Sequence, residues 1–372
     1  MDEEATVEAD IVVIGGGYYG SVTAIELRTV RPDLKVVIVE QEPRAFGRAS
    51  STNQGQLLAG YMYSKFPELA HECANGAKEF AQMYCKAVSQ DVLTYYGVHQ
   101  DSEISAVDYE TFCKNEELPL RPIATPARDF FGPSLTRVYE TDEKTFDNAK
   151  LHKLMAKQLE TRGVQLVTSF SVRKIRQTAG GFEIESADGR IIQARTVFNA
   201  TFADSNKLHE RSGIAKLPLD HAVFLHFLIE LPKRFSNMGL IVVRGQYAAL
   251  VPDSSRRASH IFASGQFRVV RTSHIDAPSE EITEREIVER YEQAVAEASS
   301  YMPALRPAKL VGHTIGTRTN FIDPATGVAA SRAVVLKDYD GMKGYHCVFG
   351  GKVACLPEII EPIRQIAQSI DS

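Results

Sequence analysis

The chain has 372 residues, 44% of them hydrophobic and 24% charged, with a net charge of −5; that is enough for two domains with full cores, and it lacks the basic footprint a nucleic-acid partner requires. No apolar run reaches the roughly 18–20 residues of a membrane-spanning helix, and the acidic start MDEEATVEAD does not read as a signal peptide, so a cytoplasmic protein without a transmembrane segment is expected. Five scattered cysteines (Cys73, Cys85, Cys113, Cys347, Cys355) show no CxxC spacing, which predicts free thiols and no metal centre.

In chain order, residues 10–14 read as a short buried strand, and Gly15, Gly17 and Gly20 follow in GxGxxG spacing. A helix pattern runs over about 18–30, and KVVIVE makes a second buried strand ending at Glu40, which completes a βαβ unit. The glycines then divide the work. Gly15 allows the tight turn, Gly17 the close approach of a pyrophosphate, and Gly20 the packing of the helix on the strand. The helix N-terminus, at Tyr18 and Tyr19, faces the phosphates with its partial positive charge. Glu40, followed by Gln41, can accept hydrogen bonds from a ribose diol and repels a 2′-phosphate, which disfavours NADP. The loop RAFGRASSTNQGQ then supplies Arg48, Ala49, Ser50, Ser51, Asn53, Gln54 and Gly55. Its hydroxyl and amide groups suit the ribitol chain of FAD better than they suit NAD.

Further on, Leu151, Leu154, Met155 and Leu159 set a helix over 148–163, with Gly163 as its stop. Residues 164–201 alternate like strands, with GGF and ADGR as turns. DHAVFLHFLIELP (220–232) and GLIVVRGQYAALVP (239–252) each read as one long strand, and 280–301 as a charged amphipathic helix. His221 and His226 fall on opposite faces of their strand, which argues against a metal pair. The sum is an α/β fold. A discontinuous, Rossmann-like FAD-binding domain is expected over 1–85, 145–215 and 305–372, and a β-rich substrate domain over 86–144 and 216–304.

The glycine loop, Glu40 and SSTNQGQLLAGYMY resemble the N-terminal part of the D-amino-acid-oxidase-like superfamily of FAD-dependent oxidoreductases, in which glycerol-3-phosphate dehydrogenases and L-2-hydroxyglutarate oxidases look closest in pattern. Three later segments match in order. TVFNATFAD (196–204) is similar to the family's second flavin strand, GTRTNFIDPATGVAASR (316–332) to its Gly-x-Arg-Pro segment followed by Ser-Arg, and FGGKVA (349–354) to its Gly-Gly-Lys-x-Thr-Thr segment. The chain departs from the pattern where Phe202 and Ala203 replace a glycine and a tryptophan, where Val353 and Ala354 replace family residues including threonine, and where Leu58 replaces a histidine that could carry a covalent flavin link.

The resemblance implies oxidation of a CH–OH or CH–NH centre of a small, anionic substrate by hydride transfer to flavin N5. The electrons would pass on to oxygen, a quinone or another acceptor. It adds Val172, Ala200, Thr201, Gly316, Arg318, Gly350, Gly351, Lys352 and Val353 to the cofactor contacts, and it also makes Arg318 and Arg332 anchors for the substrate's anion, a role that suits arginine's planar fork. Candidate bases are His346, Tyr61, Tyr63 and His226. FGGKVA cannot be a Walker loop, because His346 stands six residues before Lys352 and Val353 just after it. Lys352 would instead face the flavin's N1–C2=O edge, where negative charge gathers on reduction. A flavin monooxygenase or halogenase and a non-catalytic FAD-binding subunit remain alternatives; against the first stand the lack of a convincing GD-type motif and, for the halogenases, the absence of tryptophan.

Overall fold

The computed structural model describes residues 7–123, 129–243, 247–256, 259–324, 329–330 and 333–370. Its first sheet is built on Val7–Ile14, flanked in parallel by Val36–Val39 and by Ile191–Asn199. Gln165–Val167 extends one side, and Tyr345–Phe349, then antiparallel Val334–Leu336, the other. The hairpin Val172–Thr178/Gly181–Ser186 hangs from Ile191–Asn199.

The central strands are continuous apolar runs because both faces are covered. Ile11 and Val13 join Val22, Phe80, Met155 and Ile363 on one face, while Val12 and Ile14 join Ile175, Ile184 and Leu208 on the other. The helix Tyr18–Val30 follows the glycine loop as expected. Helix Asn148–Thr161 is capped by Asp147, whose side chain accepts the Lys150 N–H at 3.0 Å, and it buries Leu151, Met155 and Leu159.

The second sheet is ten-stranded. At its centre Leu219–Glu230 pairs with Lys309–Ile322 along nearly its whole length. The sheet continues through Ser259–Ser264, Ala248–Pro252, Met238–Val243 and Leu93–His99 to Leu135–Thr141 and Leu120–Pro122. Two sequence expectations change here. The run 239–252 is not one strand but the pair Met238–Val243/Ala248–Pro252, which sets Leu240 opposite Leu250 so that both enter one core. Strand Lys309–Ile322, which falls among the expected cofactor-binding segments from 305 onward, belongs to the second sheet, because its hydrogen-bond partner is Leu219–Glu230. Helix Glu284–Ala298 covers this sheet through Ile287, Ala294 and Ala298.

Candidate active site

A cavity of about 690 Å³ opens where the strands of the first sheet end and the helix Tyr18–Val30 begins, the usual ligand position in such sheets. Gly15 has φ +106°, and a Cβ there would lie 2.6 Å from the Ala200 carbonyl oxygen. A Cβ on Gly20 would run into the Gly15 carbonyl, so only glycine lets helix and strand come this close. At Gly17 a Cβ would meet only Ser50 Oγ, 3.1 Å away; the glycine leaves space on the cavity side. Among the first helical amides, that of Tyr18 donates to Ser50 Oγ at 3.1 Å.

Glu40 is buried and lines the cavity. Its carboxylate accepts the Gly16 N–H at 2.7 Å and the Glu42 N–H at 2.9 Å. A carboxylate has about four acceptor sites, so capacity remains for a diol. Gln41, Arg48, Ala49, Ser50, Asn53, Val172, Ala200 and Thr201 also line it. Arg48 forms an ion pair with Asp204 beside the cavity. Ser51 and Gly55 do not line it. The Ser51 hydroxyl donates to the Phe46 carbonyl at 2.5 Å, and Gly55 takes φ +65° with its N–H on Asn53 Oδ1 at 2.8 Å. Both shape the loop from behind. Tyr18 lines the cavity and gives its hydroxyl to Asn148 Oδ1 at 2.6 Å.

The second glycine segment reaches the same cavity: Gly350, Gly351, Lys352 and Val353 line it together with Gly15, Gly17 and Tyr19. The Tyr19 ring fills the space a Cβ on Gly350 would need, and its hydroxyl donates to the Lys352 carbonyl at 2.6 Å. The segment after Lys352 is a 3-10 turn, Val353–Ile359, that holds Pro357; the α-helix starts at Ile360.

A second cavity, about 480 Å³, adjoins the first, and Asn53, Gly316, Gly351, Lys352 and Val353 line both. Gln54 and Arg318 open into it, with Arg268, Phe224, His226, Tyr63 and Asn320. Arg318 keeps accessible surface there, yet it is hemmed in deeply enough that burial draws its pKa down. Its guanidinium carbon lies 4.6 Å from the centre of the Phe224 ring. Lys352 Nζ lies 3.8 Å from the centre of the Tyr63 ring and 3.9 Å from Cys73 Sγ, and burial lowers its pKa. His226 Nδ1 is 3.3 Å from the Thr52 carbonyl, which fixes the proton on that nitrogen and leaves Nε2 as an acceptor. Burial, then Arg268, pushes His226 down to about 4.

Two candidate bases fall outside both cavities. His346 is buried against Phe198, ring centres 4.7 Å apart, and its Nδ1 accepts the Asp338 N–H at 3.0 Å. It is a core histidine, pushed down to about 4 by burial. Tyr61 is buried in the second sheet's core, and its hydroxyl donates to the Pro119 carbonyl at 3.0 Å. His221, on the opposite face from His226, is held by Thr319 Oγ1 at 2.9 Å. Arg332 lies outside the described residues. No sequence signal marks Arg268, Phe224 or Asn320, because each owes its place to sheet pairing and not to a local motif.

Among the described residues no group of histidine, cysteine and acidic side chains could hold a metal ion, and no helix is long and apolar enough to cross a membrane. A glycine-loop parallel sheet whose strand ends open into one cavity defines a dinucleotide-binding fold. The chain belongs to the FAD dependent oxidoreductase (DAO) family, whose pattern matches residues 10–352. FAD is thus its cofactor, and the residues fit that group: the glycine loop, Gly350 and Gly351, a carboxylate with spare acceptor sites, and a helix N-terminus share one cavity.

Among curated relatives, FixC of Escherichia coli (strain K12) is 28% identical over 226 residues, 60% of this chain and 44% of that protein. L-2-hydroxyglutarate dehydrogenase of Salmonella houtenae is 21% identical over 268 residues, 68% of this chain and 56% of that one. The chain spans about half the length of these relatives. The fold is shared with glycine oxidase from Geobacillus kaustophilus, at TM-score 0.75, 16% identity, and coverage of 99% of this chain and 96% of that one. It is shared too with NikD, an amino acid oxidase essential for nikkomycin biosynthesis, at TM-score 0.75, 14% identity, and coverage of 99% and 95%.

Proposed function

We propose that this FAD-dependent oxidoreductase oxidises a CH–OH or CH–NH centre of a small anionic compound, and that Arg318 holds the compound's anion. Bound FAD supplies the hydride acceptor, at flavin N5. The observation that carries the reading is Arg318 itself: a guanidinium without hydrogen bond or ion pair among the described residues, opening into a cavity that shares Lys352 with the glycine-lined one. A guanidinium there supplies a bidentate clamp that orients a carboxylate.

The other residues divide by place. The loop from Gly15 to Gly20, Glu40, Arg48, Ala49, Ser50 and Asn53 would hold the adenine–pyrophosphate end and the ribitol chain of the cofactor, with Ser51 and Gly55 shaping the loop behind them. Gly350 to Val353 hold its reactive end, where Lys352 offers positive charge. Of the four base candidates, Tyr63 and His226 line the substrate cavity. The free Nε2 of His226 is the better acceptor for a hydrogen bond from the substrate's hydroxyl or amine. The relative named for L-2-hydroxyglutarate carries a small hydroxy acid in its name, which supports the substrate class. We further propose two units, one around each sheet, with the substrate between them.

The test is direct. Purified protein should carry flavin absorbance that bleaches without oxygen on addition of an α-hydroxy or α-amino acid. Arg318→Ala should keep its flavin and lose about 100-fold in kcat/KM. Full kcat/KM in that variant overturns the anchor, and bleaching by NAD(P)H alone points to a monooxygenase.

A further inference from the structure

One aromatic ring in the second cavity carries two cations. The guanidinium carbon of Arg318 lies 4.6 Å from the centre of the Phe224 ring, and that of Arg268 lies 5.1 Å from it. Both arginines line the same cavity, and Lys352 lines it as well. Arg268 comes from the 3-10 turn Gly265–Arg268, at the start of strand Val269–His274, and Arg318 from strand Lys309–Ile322; both strands flank Leu219–Glu230, which carries Phe224. The juxtaposition is therefore fixed by three adjacent strands.

Neither arginine has an ion pair or hydrogen bond among the described residues, and Arg268 Nε is buried without a partner. Among those residues the one carboxylate that lines the cavity, Glu103, pairs with Lys65. Burial and then Arg318 push Arg268 down to about 10, so the two charges feel each other. Two like charges on one ring in a recessed cavity are destabilising until a counter-charge arrives. Arginine stacked on an aromatic face keeps its donor edge free for a carboxylate. One carboxylate on Arg318 would leave Arg268 without a partner.

We propose that the substrate is a short dicarboxylate, with the carboxylate next to the oxidised carbon on Arg318 and the distal one on Arg268. This rests on the reading of Arg318 as the anion anchor. Arg268 is then the residue that selects dicarboxylates over monocarboxylates of the same length. Asn320, buried on the same cavity wall, offers a neutral amide beside them.

The experiment titrates flavin-loaded enzyme with succinate, glutarate and adipate and with the monoamide of each, and it follows the visible flavin spectrum. These probes have no oxidisable centre, so the readout is binding alone. At the best chain length the dicarboxylate should bind at least about tenfold tighter than its monoamide. Arg268→Gln should abolish that difference and leave the monoamide Kd within about twofold; Arg268→Lys should keep part of it. Equal Kd values for diacid and monoamide in the unmodified protein overturn the proposal. So does an Arg268→Gln variant that weakens both alike, and so does absence of binding by every probe. Arg318→Gln should weaken diacid and monoamide together. If it leaves the monoamide Kd unchanged, the anchor reading fails, whatever Arg268 does.

Discussion

Among the described residues Glu143 is the most deeply buried carboxylate, behind Gln56 on the wall of the second cavity. It is 1% exposed, and it accepts hydrogen bonds from Gln56 Nε2 at 2.6 Å, the Ala59 N–H at 3.0 Å and the Tyr96 hydroxyl at 2.9 Å. Burial outweighs those donors and lifts its pKa to about 7. The folded state therefore holds a proton there that the unfolded chain has released, so this group's contribution to stability is full below about pH 4.5 and is lost as pH rises through about 7. His226, His260 and His346, each pushed down to about 4 by burial, act in the opposite sense between about pH 4 and 6.5. The measurement is thus a difference. Between pH 5 and 8 the unmodified protein should lose up to about 3 kcal/mol relative to Glu143→Gln, read as converging melting curves; parallel curves refute it. At this scale a sequence names residue types but not their surroundings. His346 and Tyr61 are candidates by their chemistry and their nearness to the glycine segments, and both are core residues in the fold. His226 and Tyr63, equally plausible in the sequence, line the cavity. Nothing local separates the two pairs, because burial is decided by what packs on a strand from elsewhere in the chain.

Elements with their own punctuation are legible. The glycine loop, its helix and the strand before Glu40 can be read to within a residue, and the first strand except for its three leading residues, since the loop's backbone demands and the apolar runs are local. The helix Pro67–Met83 is hard to read, although Ala70, Cys73, Ala74, Ala77 and Phe80 sit at helical spacing after a proline start. Its small buried residues form a weak apolar stripe, and Gly76 in its middle looks like a break; in the fold that glycine lets the Ala354 carbonyl approach. The three glycines of the first loop should separate by experiment. Gly20→Ala puts a methyl group into the Gly15 carbonyl, so it should destabilise the protein by at least about 2 kcal/mol and abolish flavin retention. Gly17→Ala meets only Ser50 Oγ. It should stay within about 1 kcal/mol of the parent in denaturant melts and lose flavin affinity at least about tenfold. If Gly17→Ala binds FAD normally, that glycine does not face the pyrophosphate.

At the scale of the whole molecule, the two cavities meet where the two sheets approach. Leu219–Glu230 and Lys309–Ile322, far apart in sequence, carry Phe224, His226, Gly316 and Arg318 to that seam. This arrangement is only partly legible in the sequence, because a strand's choice of sheet depends on a partner about ninety residues away. Cofactor binding should therefore stiffen both halves. Removing FAD by acid precipitation or dialysis should lower Tm by about 5 °C relative to protein with FAD at about 100 times Kd. Adding FAD back should restore it, and an unchanged Tm would mean that the seam does not depend on the ligand. The hydroxyl of Tyr19 that closes onto the Lys352 carbonyl joins groups 333 residues apart, and strand Tyr345–Phe349 lies beside Ile191–Asn199, itself paired to the first strand. During translation, the glycine loop thus waits for the 333 residues that separate Tyr19 from Lys352 before that wall of its cavity is in place. A chain that stops before Tyr345 lacks Gly350, Gly351, Lys352 and Val353, so it should retain flavin less well than one that continues through them, which couples cofactor capture to the progress of synthesis.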